Sequence, residues 1–436
     1  MGIDPKILAV LILIISYVAL FSEKINRAVV AVLGACVMVL TGILTEQTAL
    51  KGIDFNTISL LVGMMIIVGL AEKSGMFEYI ALYGVKKVKA NPRKIMVLLI
   101  ILTAVLSALI DNVTTVLLIA PVTFQITRRL KISAYPYLLA EIFASNIGGT
   151  ATLIGDPPNI LIGSALNLSF MDFVKELTPV VLLNILILVV VFDRLFAKKL
   201  QTTERAQQKV LSLNEKESLT DIPLLIKSVC VLASVLTGFI LAEHLPITNG
   251  TIALFGAAVF LFLYTLGDNH ALRDEKVEDA FSLVDWTTIF FFCGLFAIVF
   301  GLEETGVLEI FGEKLMHWTQ GSLQKMTYAV LWGSAFLSSA IDNIPFVATM
   351  IPTLKSMEES IGGREVMMPV WWALSLGACF GGNGTLIAAS ANVIVAGIAA
   401  REGEPISFVK FLLYSLPVML VSVALAMAYL YFKFFL

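Results

Sequence analysis

Two Asp-Asn pairs lie inside long apolar stretches of this chain. Asp111 and Asn112 belong to the stretch SALIDNVTTVLLIAP, and Asp342 and Asn343, 231 positions later, belong to SSAIDNIPFVATMIP. A carboxylate that no Lys or Arg accompanies in an apolar setting must bind a cation or take up a proton. Because both copies carry the same two residue types, we predict that the pairs belong to a functional site. The alternative is that they only cap the ends of broken helices.

A second repeated motif contains helix-breaking residues. The run GGTATLIGDPPNILI starts at Gly148, and GGNGTLIAASANVIV starts at Gly381. Glycine lets the backbone leave the helical region and each proline removes an amide donor, so neither run fits a continuous helix. We therefore predict two membrane helices that are broken in the middle, with Asp156 at the first break and Ala389 at the equivalent position of the second.

The polar side chains of these motifs are the candidate ligands for an ion and a substrate. Carboxylate, amide and hydroxyl oxygens suit an alkali cation, and unwound helices add carbonyl oxygens. For Thr and Asn the alternative role is hydrogen bonding to backbone groups freed at the breaks. The predicted binding residues are Asp111, Asn112, Thr114, Asn146, Thr150, Thr152, Asp156, Asn159, Asp342, Asn343, Asn383, Thr385 and Asn392. The candidate Na⁺ ligands among them are Asp111, Asn112, Asp156, Asp342 and Asn343.

We expect these residues to form two unequal sites. The first and more polar site contains Asp111, Asn112, Thr152, Asp156 and Asn159. Its partner contains Asp342, Asn343, Asn383, Thr385 and Asn392. The sites differ because Asp156 corresponds to Ala389 in the second copy, and Asn146 corresponds to Cys379.

The composition is that of an integral membrane protein. Of the 436 residues, 58% are hydrophobic and only 14% are charged, and apolar runs of nearly 20 residues recur along the chain. Such runs are long enough for helices to span a hydrocarbon core of about 30 Å. The chain has no basic stretch suited to nucleic acid and no Walker loop, and Asp156 lacks the Gly-x-Gly-Asp context of intramembrane aspartyl proteases. We therefore predict that the protein is not an enzyme and has no nucleic-acid partner.

The chain divides into two repeats of one plan. Residues 1–197 form the first repeat, residues 222–436 form the second, and the polar stretch 198–221 links them. Each repeat has five predicted crossings, one of them broken, plus a re-entrant hairpin with the Asp-Asn pair at its tip. Because an odd number of crossings inverts the second copy, the predicted fold class is an all-α polytopic membrane protein with two inverted-topology repeats.

The Lys and Arg residues are distributed unequally over the predicted loops. The segments assigned to the cytoplasm hold 20 of these residues, and the segments assigned to the outside hold 7. By the positive-inside rule, the linker 198–221 is cytoplasmic and both termini are outside. We expect a multi-pass protein of the inner (plasma) membrane.

The motifs quoted above, with IDFNTISLLVGMMIIVGLAEKSGMFEY before them, resemble the ion transporter superfamily. The similarity covers nearly the whole chain and is greatest to the ArsB/NhaD-type permeases with a citrate transporter-like domain, in particular to prokaryotic relatives of the melanosomal P protein. The resemblance implies a scaffold and a mobile transport domain that holds both hairpins and both broken helices, often in a homodimer. It also implies that the hairpin tips and unwound segments bind the coupling cation and the substrate.

Two departures from this superfamily bear on the substrate. Dicarboxylate transporters carry Ser-Asn-Thr at the hairpin tips and Gly-Thr-Pro-Pro at the first break, where this chain has acidic tips and Asp156. Arsenite permeases lack the acidic tip residue that this chain has at Asp111.

Inverted repeats with broken helices that meet inside the membrane are typical of secondary transporters. We predict a secondary active transporter that moves a small anion or metalloid, such as an oxyanion, arsenite or a small organic anion. Transport is coupled to Na⁺ or H⁺ by an elevator-like alternating-access mechanism. The alternatives are a Na⁺/H⁺ antiporter with no separate substrate and an anion channel. No cofactor is expected besides the coupling ion, and the expected partners are the lipid bilayer, the transported ion or anion and a second copy of the chain.

Overall fold

The structure of this chain is helical, with turns and loops that connect the helices over the described residues. The computed structural model covers residues 4–21 and 24–436, and every regular element in these ranges is helical. The residues outside this description, 1–3 and 22–23, belong to the first predicted repeat. The predicted fold class, an all-α polytopic membrane protein, is confirmed.

The described residues of the first repeat form ten helices. They are α1 (Pro5–Phe21), α2 (Arg27–Leu40), α3 (Glu46–Lys51), α4 (Phe55–Lys73), α5 (Met76–Lys87), α6 (Pro92–Leu109), α7 (Asn112–Leu130), α8 (Tyr135–Gly149), α9 (Pro157–Leu166) and α10 (Phe170–Phe196). The linker holds α11 (Glu204–Leu211) and a short 3₁₀ turn, Glu215–Ser218.

The second repeat follows the same order, with one additional short helix, Glu358–Ile361. Its helices are α12 (Ile222–Leu241), α13 (Asn249–Thr265), α14 (His270–Phe281), α15 (Trp286–Glu304), α16 (Val307–Thr319), α17 (Leu323–Ala340), α18 (Asn343–Lys355), α19 (Glu358–Ile361), α20 (Arg364–Gly381), α21 (Ser390–Arg401) and α22 (Phe408–Phe434), with a 3₁₀ turn at Ala242–His244.

Six helices in the described ranges are long and apolar enough to cross a membrane on their own. They are α4, α6, α10, α12, α15 and α22. Helices α1, α2, α13 and α21 are apolar but shorter. The recurrence of spans of this kind in both halves agrees with the predicted multi-pass protein.

Both predicted helix breaks are confirmed. Helix α8 ends at Gly149 and α9 begins at Pro157, while α20 ends at Gly381 and α21 begins at Ser390. The residues between them form turns without a regular helix. Each break therefore leaves backbone groups that need partners inside the protein.

The two repeats are interlocked through their early helices. Helix α2 packs along α15, and α13 packs along α4. A Cβ atom on Gly63 of α4 would lie 2.5 Å from the Ala253 carbonyl carbon, and one on Gly294 of α15 would lie 2.4 Å from the Ala31 carbonyl carbon. The same close backbone contact thus occurs twice, with the roles of the repeats exchanged.

Each Asp-Asn pair lies at the tip of a helical hairpin. Helices α6 and α8 run side by side in the same direction, because Pro92 contacts Tyr137 at one end and Ala104 contacts Gly148 at the other. Helix α7, which connects them, must therefore return antiparallel. Helices α17, α18 and α20 repeat this arrangement, with Leu331 against Gly377.

The two hairpins start at opposite ends of α10. Arg93 at the base of the first hairpin pairs with Asp193 near the end of α10. The base of the second hairpin lies near the end of α22, where Tyr328 contacts Phe435 and Lys433 pairs with Glu176 near the start of α10. At 1.5 Å per residue the two ends are about 25 Å apart. The repeats therefore have opposite directions within the protein.

Candidate functional site

Both hairpin tips meet at Asp156, the N-cap residue of α9. Asn112 at the first tip and Asn343 at the second each place their amide nitrogen 3.4 Å from Asp156 Oδ1. The Asp156 side chain is 1% exposed, and its Oδ2 atom has no hydrogen-bond partner in the described structure. A buried carboxylate oxygen without a partner is a position for a proton or a cation.

Asn146 of α8 connects this point to the break of the second repeat. Its amide nitrogen lies 3.0 Å from both Asn383 Oδ1 and Asn392 Oδ1, and its oxygen lies 3.5 Å from the Asn112 amide. All of these side chains are buried, and the Asn383 amide nitrogen has no partner in the described residues. We call this group the central polar cluster; it contains Asn112, Asn146, Asp156, Asn343, Asn383 and Asn392.

The predicted Thr ligands at the breaks donate hydrogen bonds to the backbone instead of facing the cluster. Thr152 donates to the Ala108 carbonyl at 2.5 Å, and Thr385 donates to the Ser339 carbonyl at 2.6 Å. Thr150 donates to the Asn146 carbonyl. The Thr152 and Thr385 hydroxyls thus connect each break to the adjacent hairpin, and all three hydroxyls bond to the backbone, which is the alternative role considered for them.

Asn159 also has a structural role. Its amide donates to the Thr150 and Thr152 carbonyls, while its oxygen accepts from Ser375 at 2.6 Å. Asn392 makes the equivalent bonds to the Gly382 and Thr385 carbonyls, but its oxygen still faces Asn146. Residues from both predicted sites thus lie in one shared cluster, and other residues of these sites make hydrogen bonds that support it.

Asp111 and Asp342 cap the helices that follow them. Asp111 accepts the Thr114 backbone amide at 2.9 Å and the Thr114 hydroxyl at 2.5 Å, and Asp342 accepts the Ile344 amide at 3.2 Å. Of the five predicted Na⁺ ligands, the structure brings Asn112, Asp156 and Asn343 together. The two capping carboxylates line the adjacent cavities.

The expectation that no basic side chain compensates the tip carboxylates is wrong for Asp342. Arg27, at the start of α2, has one guanidinium nitrogen 3.8 Å from Asp342 Oδ2 and the other 3.9 Å from Asp285 Oδ2. It also donates to Ser390 at 2.9 Å and to Thr288 at 2.7 Å. The local sequence around the tips gave no signal for Arg27, because Arg27 and Asp342 are far apart in the sequence and belong to different repeats.

Two cavities meet at Arg27. A cavity of about 500 Å³ extends from Arg27 to Asp156 and the first hairpin tip, and its lining contains the further acids Glu72, Asp111 and Asp285. A second cavity, of about 390 Å³, also borders Arg27 and is lined by Asp342. Arg27 is the one basic residue in the lining of either cavity as described. The space beside the central polar cluster is therefore strongly acidic.

Comparisons with known proteins all point to membrane transporters. The model of the family described as "Citrate transporter" matches residues 17–377. An uncharacterized transporter of Mycobacterium bovis is 42% identical over 99% of both chains. The P protein of Mus musculus is 32% identical, over 97% of this chain and 59% of that protein.

A solved structure shares the fold. The YdaH transporter of Alcanivorax borkumensis, whose structure is described as having an unusual topology, superposes with a TM-score of 0.57. The match covers 99% of both chains at 15% sequence identity.

Proposed function

This chain belongs to the citrate transporter family, and from that membership we propose how it works as a membrane transporter. It is a secondary active transporter of the ArsB/NhaD type that moves a small anion or metalloid coupled to Na⁺ or H⁺. The observation that carries this proposal is the Asp156 carboxylate, which is buried where both hairpin tips and both broken helices meet.

The coupling ion binds at Asp156. Its Oδ2 atom has no partner in the described structure, and no basic side chain there lies within 4.0 Å of it. A buried charge of this kind is tolerated only when an ion or a proton neutralises it. The amide oxygens of Asn146 and Asn383 supply further hard ligands in the same cluster.

The cargo is a small anion or metalloid that binds beside the occupied cation site. The family description names an anion, citrate, and Arg27 with Ser390 borders the acidic cavity. A bound cation lowers the negative charge that an anion meets in this cavity. An oxyanion, an arsenite-like hydroxide or a small organic anion all fit the cavity of about 500 Å³.

Access alternates by an elevator-like movement. The interlocked helices α2, α4, α13 and α15 form the scaffold, and the re-entrant hairpins with the broken helices move against it. Arg27 on α2 contacts Asp342 and Ser390 on the moving part, so this ion pair must break as the hairpin tips pass. The two cavities that share Arg27 in their lining give the movement a path.

A Na⁺/H⁺ antiporter without a separate substrate is the second candidate. One observation favours it: four carboxylates and a single guanidinium line the cavity next to the central polar cluster, which suits cations better than anions.

Transport by purified protein in proteoliposomes tests both candidates. We expect accumulation of radiolabelled anion or arsenite only when a Na⁺ or pH gradient is imposed. Radioactive Na⁺ exchange against protons with no anion present would favour the antiporter. Anion conductance without dependence on either gradient would contradict both.

A further inference from the structure

A second buried acid, Glu141, lies outside the central polar cluster. It is in the middle of α8, and its side chain is 0% exposed. The Thr123 hydroxyl of α7 donates to Oε1, while Oε2 has no partner in the described structure. No Lys, Arg or His nitrogen of the described residues lies within 4.0 Å of the carboxyl.

The charges around Glu141 do not compensate it. On its own helix the nearest titratable group is the Tyr137 phenol, which donates to the Pro92 carbonyl at 2.9 Å. The helices packed against α8 carry their charged groups within the first or last two turns. These groups are Arg93 and Lys94 on α6, Arg128 and Arg129 on α7, Asp172, Lys175, Glu176, Asp193 and Arg194 on α10, Arg364 and Glu365 on α20, Arg401 on α21, and Lys410 and Lys433 on α22. The thiol of Cys379 on α20 points to Asn159. A charged carboxylate at this position would be unpaired, and this favours the neutral, protonated form of Glu141.

The other repeat shows that packing does not require this polar pair. At the spacings that relate the two copies, Thr123 corresponds to Leu354 and Glu141 corresponds to Leu374. Both leucines are fully buried. Since two apolar side chains serve the same positions of the fold, the acid is not explained by stability.

The part of α7 next to Thr123 contains a proline and borders a cavity. Pro121 lies inside this helix and removes the backbone hydrogen bond to the residue one turn earlier, which locally weakens the helix. A cavity of about 340 Å³ lies against this part of α7 and is lined by Glu72, Pro121 and Gln125 among others. Opening of α7 at Pro121 would connect this cavity to the Thr123 hydroxyl.

We propose that Glu141 is a proton-binding site that is loaded and unloaded during transport, so that at least one coupling ion is H⁺. This inference rests on the proposed cation coupling, but it places a proton at a residue separate from Asp156. The Thr123 hydroxyl orients the carboxyl, and release of the proton requires α7 and α8 to separate.

Infrared difference spectroscopy of the purified protein tests the bound proton directly. The wild-type protein is expected to show the carbonyl band of a protonated carboxylic acid, and Glu141→Gln is expected to lose that band. Glu141→Leu, which copies the residue at position 374, should also lose it and should run as a monodisperse protein in detergent. A protonated-acid spectrum unchanged in both variants would overturn the proposal.

The pH dependence of transport distinguishes a proton that is bound and released during transport from one that stays bound to Glu141. A rate governed by one protonation step changes up to about tenfold per pH unit. Glu141→Gln should flatten this pH dependence, and Glu141→Asp, which keeps an acid, should retain it. A pH profile of Glu141→Gln identical to that of the wild type would overturn the coupling role. If the wild-type protein shows no gradient-driven flux at all, the proposed function is contradicted. The infrared measurement would still show whether Glu141 binds a proton.

Discussion

Asp156 and Asp111 carry the same functional group, but the fold uses them differently. Asp111 caps α7 and directs both oxygens to Thr114. Asp156 precedes α9 without a side-chain cap bond and keeps one oxygen without a partner in the described structure. The hydrogen bonds that a carboxylate already makes determine how many of its oxygens are still available to bind an ion.

The capping role of Asp111 gives a stability prediction. Asp111→Ala removes the N-cap and is expected to lower the free energy of unfolding by about 1 kcal/mol, or the Tm by about 2 °C. Asp111→Asn should leave the Tm unchanged, because Asn caps as well as Asp. Thermal unfolding in detergent measures both variants. Equal Tm values for wild type and Asp111→Ala would contradict the capping assignment.

Some of these side-chain roles follow from local sequence, and others do not. An Asp directly before an apolar helical stretch is a preferred N-cap residue, so the structural role of Asp111 was visible in the sequence. The bonds from Asn146 to Asn383 and Asn392 join residues more than two hundred positions apart. These contacts depend on how the two repeats pack together. The spacing of residues within one motif does not specify that packing.

Arg27 ties the scaffold helix α2 to the second hairpin. The ion pair with Asp342 is about 30% exposed on each side, so it contributes about 0.5 to 1 kcal/mol. Arg27→Gln is therefore expected to change the ratio of the two access states by about two- to fivefold. Distances between spin labels at positions 33 and 336 measure this ratio.

A control variant separates this effect from a general loss of charge. Lys175→Gln breaks an exposed ion pair with Glu243 away from the hairpin tips. It should leave the distance distribution as in the wild type. The same shift in both variants would argue against a specific role for Arg27.

The close crossings of the interlocked helices give a further prediction. Gly63→Ala or Gly294→Ala would place a Cβ atom at 2.5 Å or 2.4 Å from the backbone of the partner helix. We expect each to lower the free energy of unfolding by about 1 to 3 kcal/mol through overpacking. Gly333→Ala, in α17 with no atom within 4 Å of the new Cβ, should be neutral or slightly stabilising. Thermal unfolding of the three variants checks this order, and equal Tm values would contradict the packing account.

The positions of the helices were easier to predict than the pairs in which the helices pack. Apolar length and the Gly and Pro residues of the broken motifs locate the helices and both breaks, because these signals are local. The exchange of partners, α2 with α15 and α4 with α13, was not predicted. It depends on small residues such as Gly63 and Gly294, whose role appears only when the facing helix is known.

The orientation of the molecule in the membrane remains a prediction from its charges. The linker 198–221 should be cytoplasmic and the C-terminus outside. In a cysteine-free background, a cysteine introduced at Lys216 should react with a membrane-impermeant reagent only after cells are opened. A cysteine at Leu436 should react in intact cells. The reverse pattern would invert the topology.

The central claim is that Asp156 holds the ion whose gradient drives transport. Its most direct test is gradient-driven flux in proteoliposomes containing wild-type protein or Asp156→Asn, which keeps the shape of the side chain and removes its charge. We expect the variant to remain folded and to lose at least about tenfold in ion-coupled flux, the effect of 1.4 kcal/mol in ion affinity. A variant that responds to Na⁺ and pH gradients like the wild type would contradict the account.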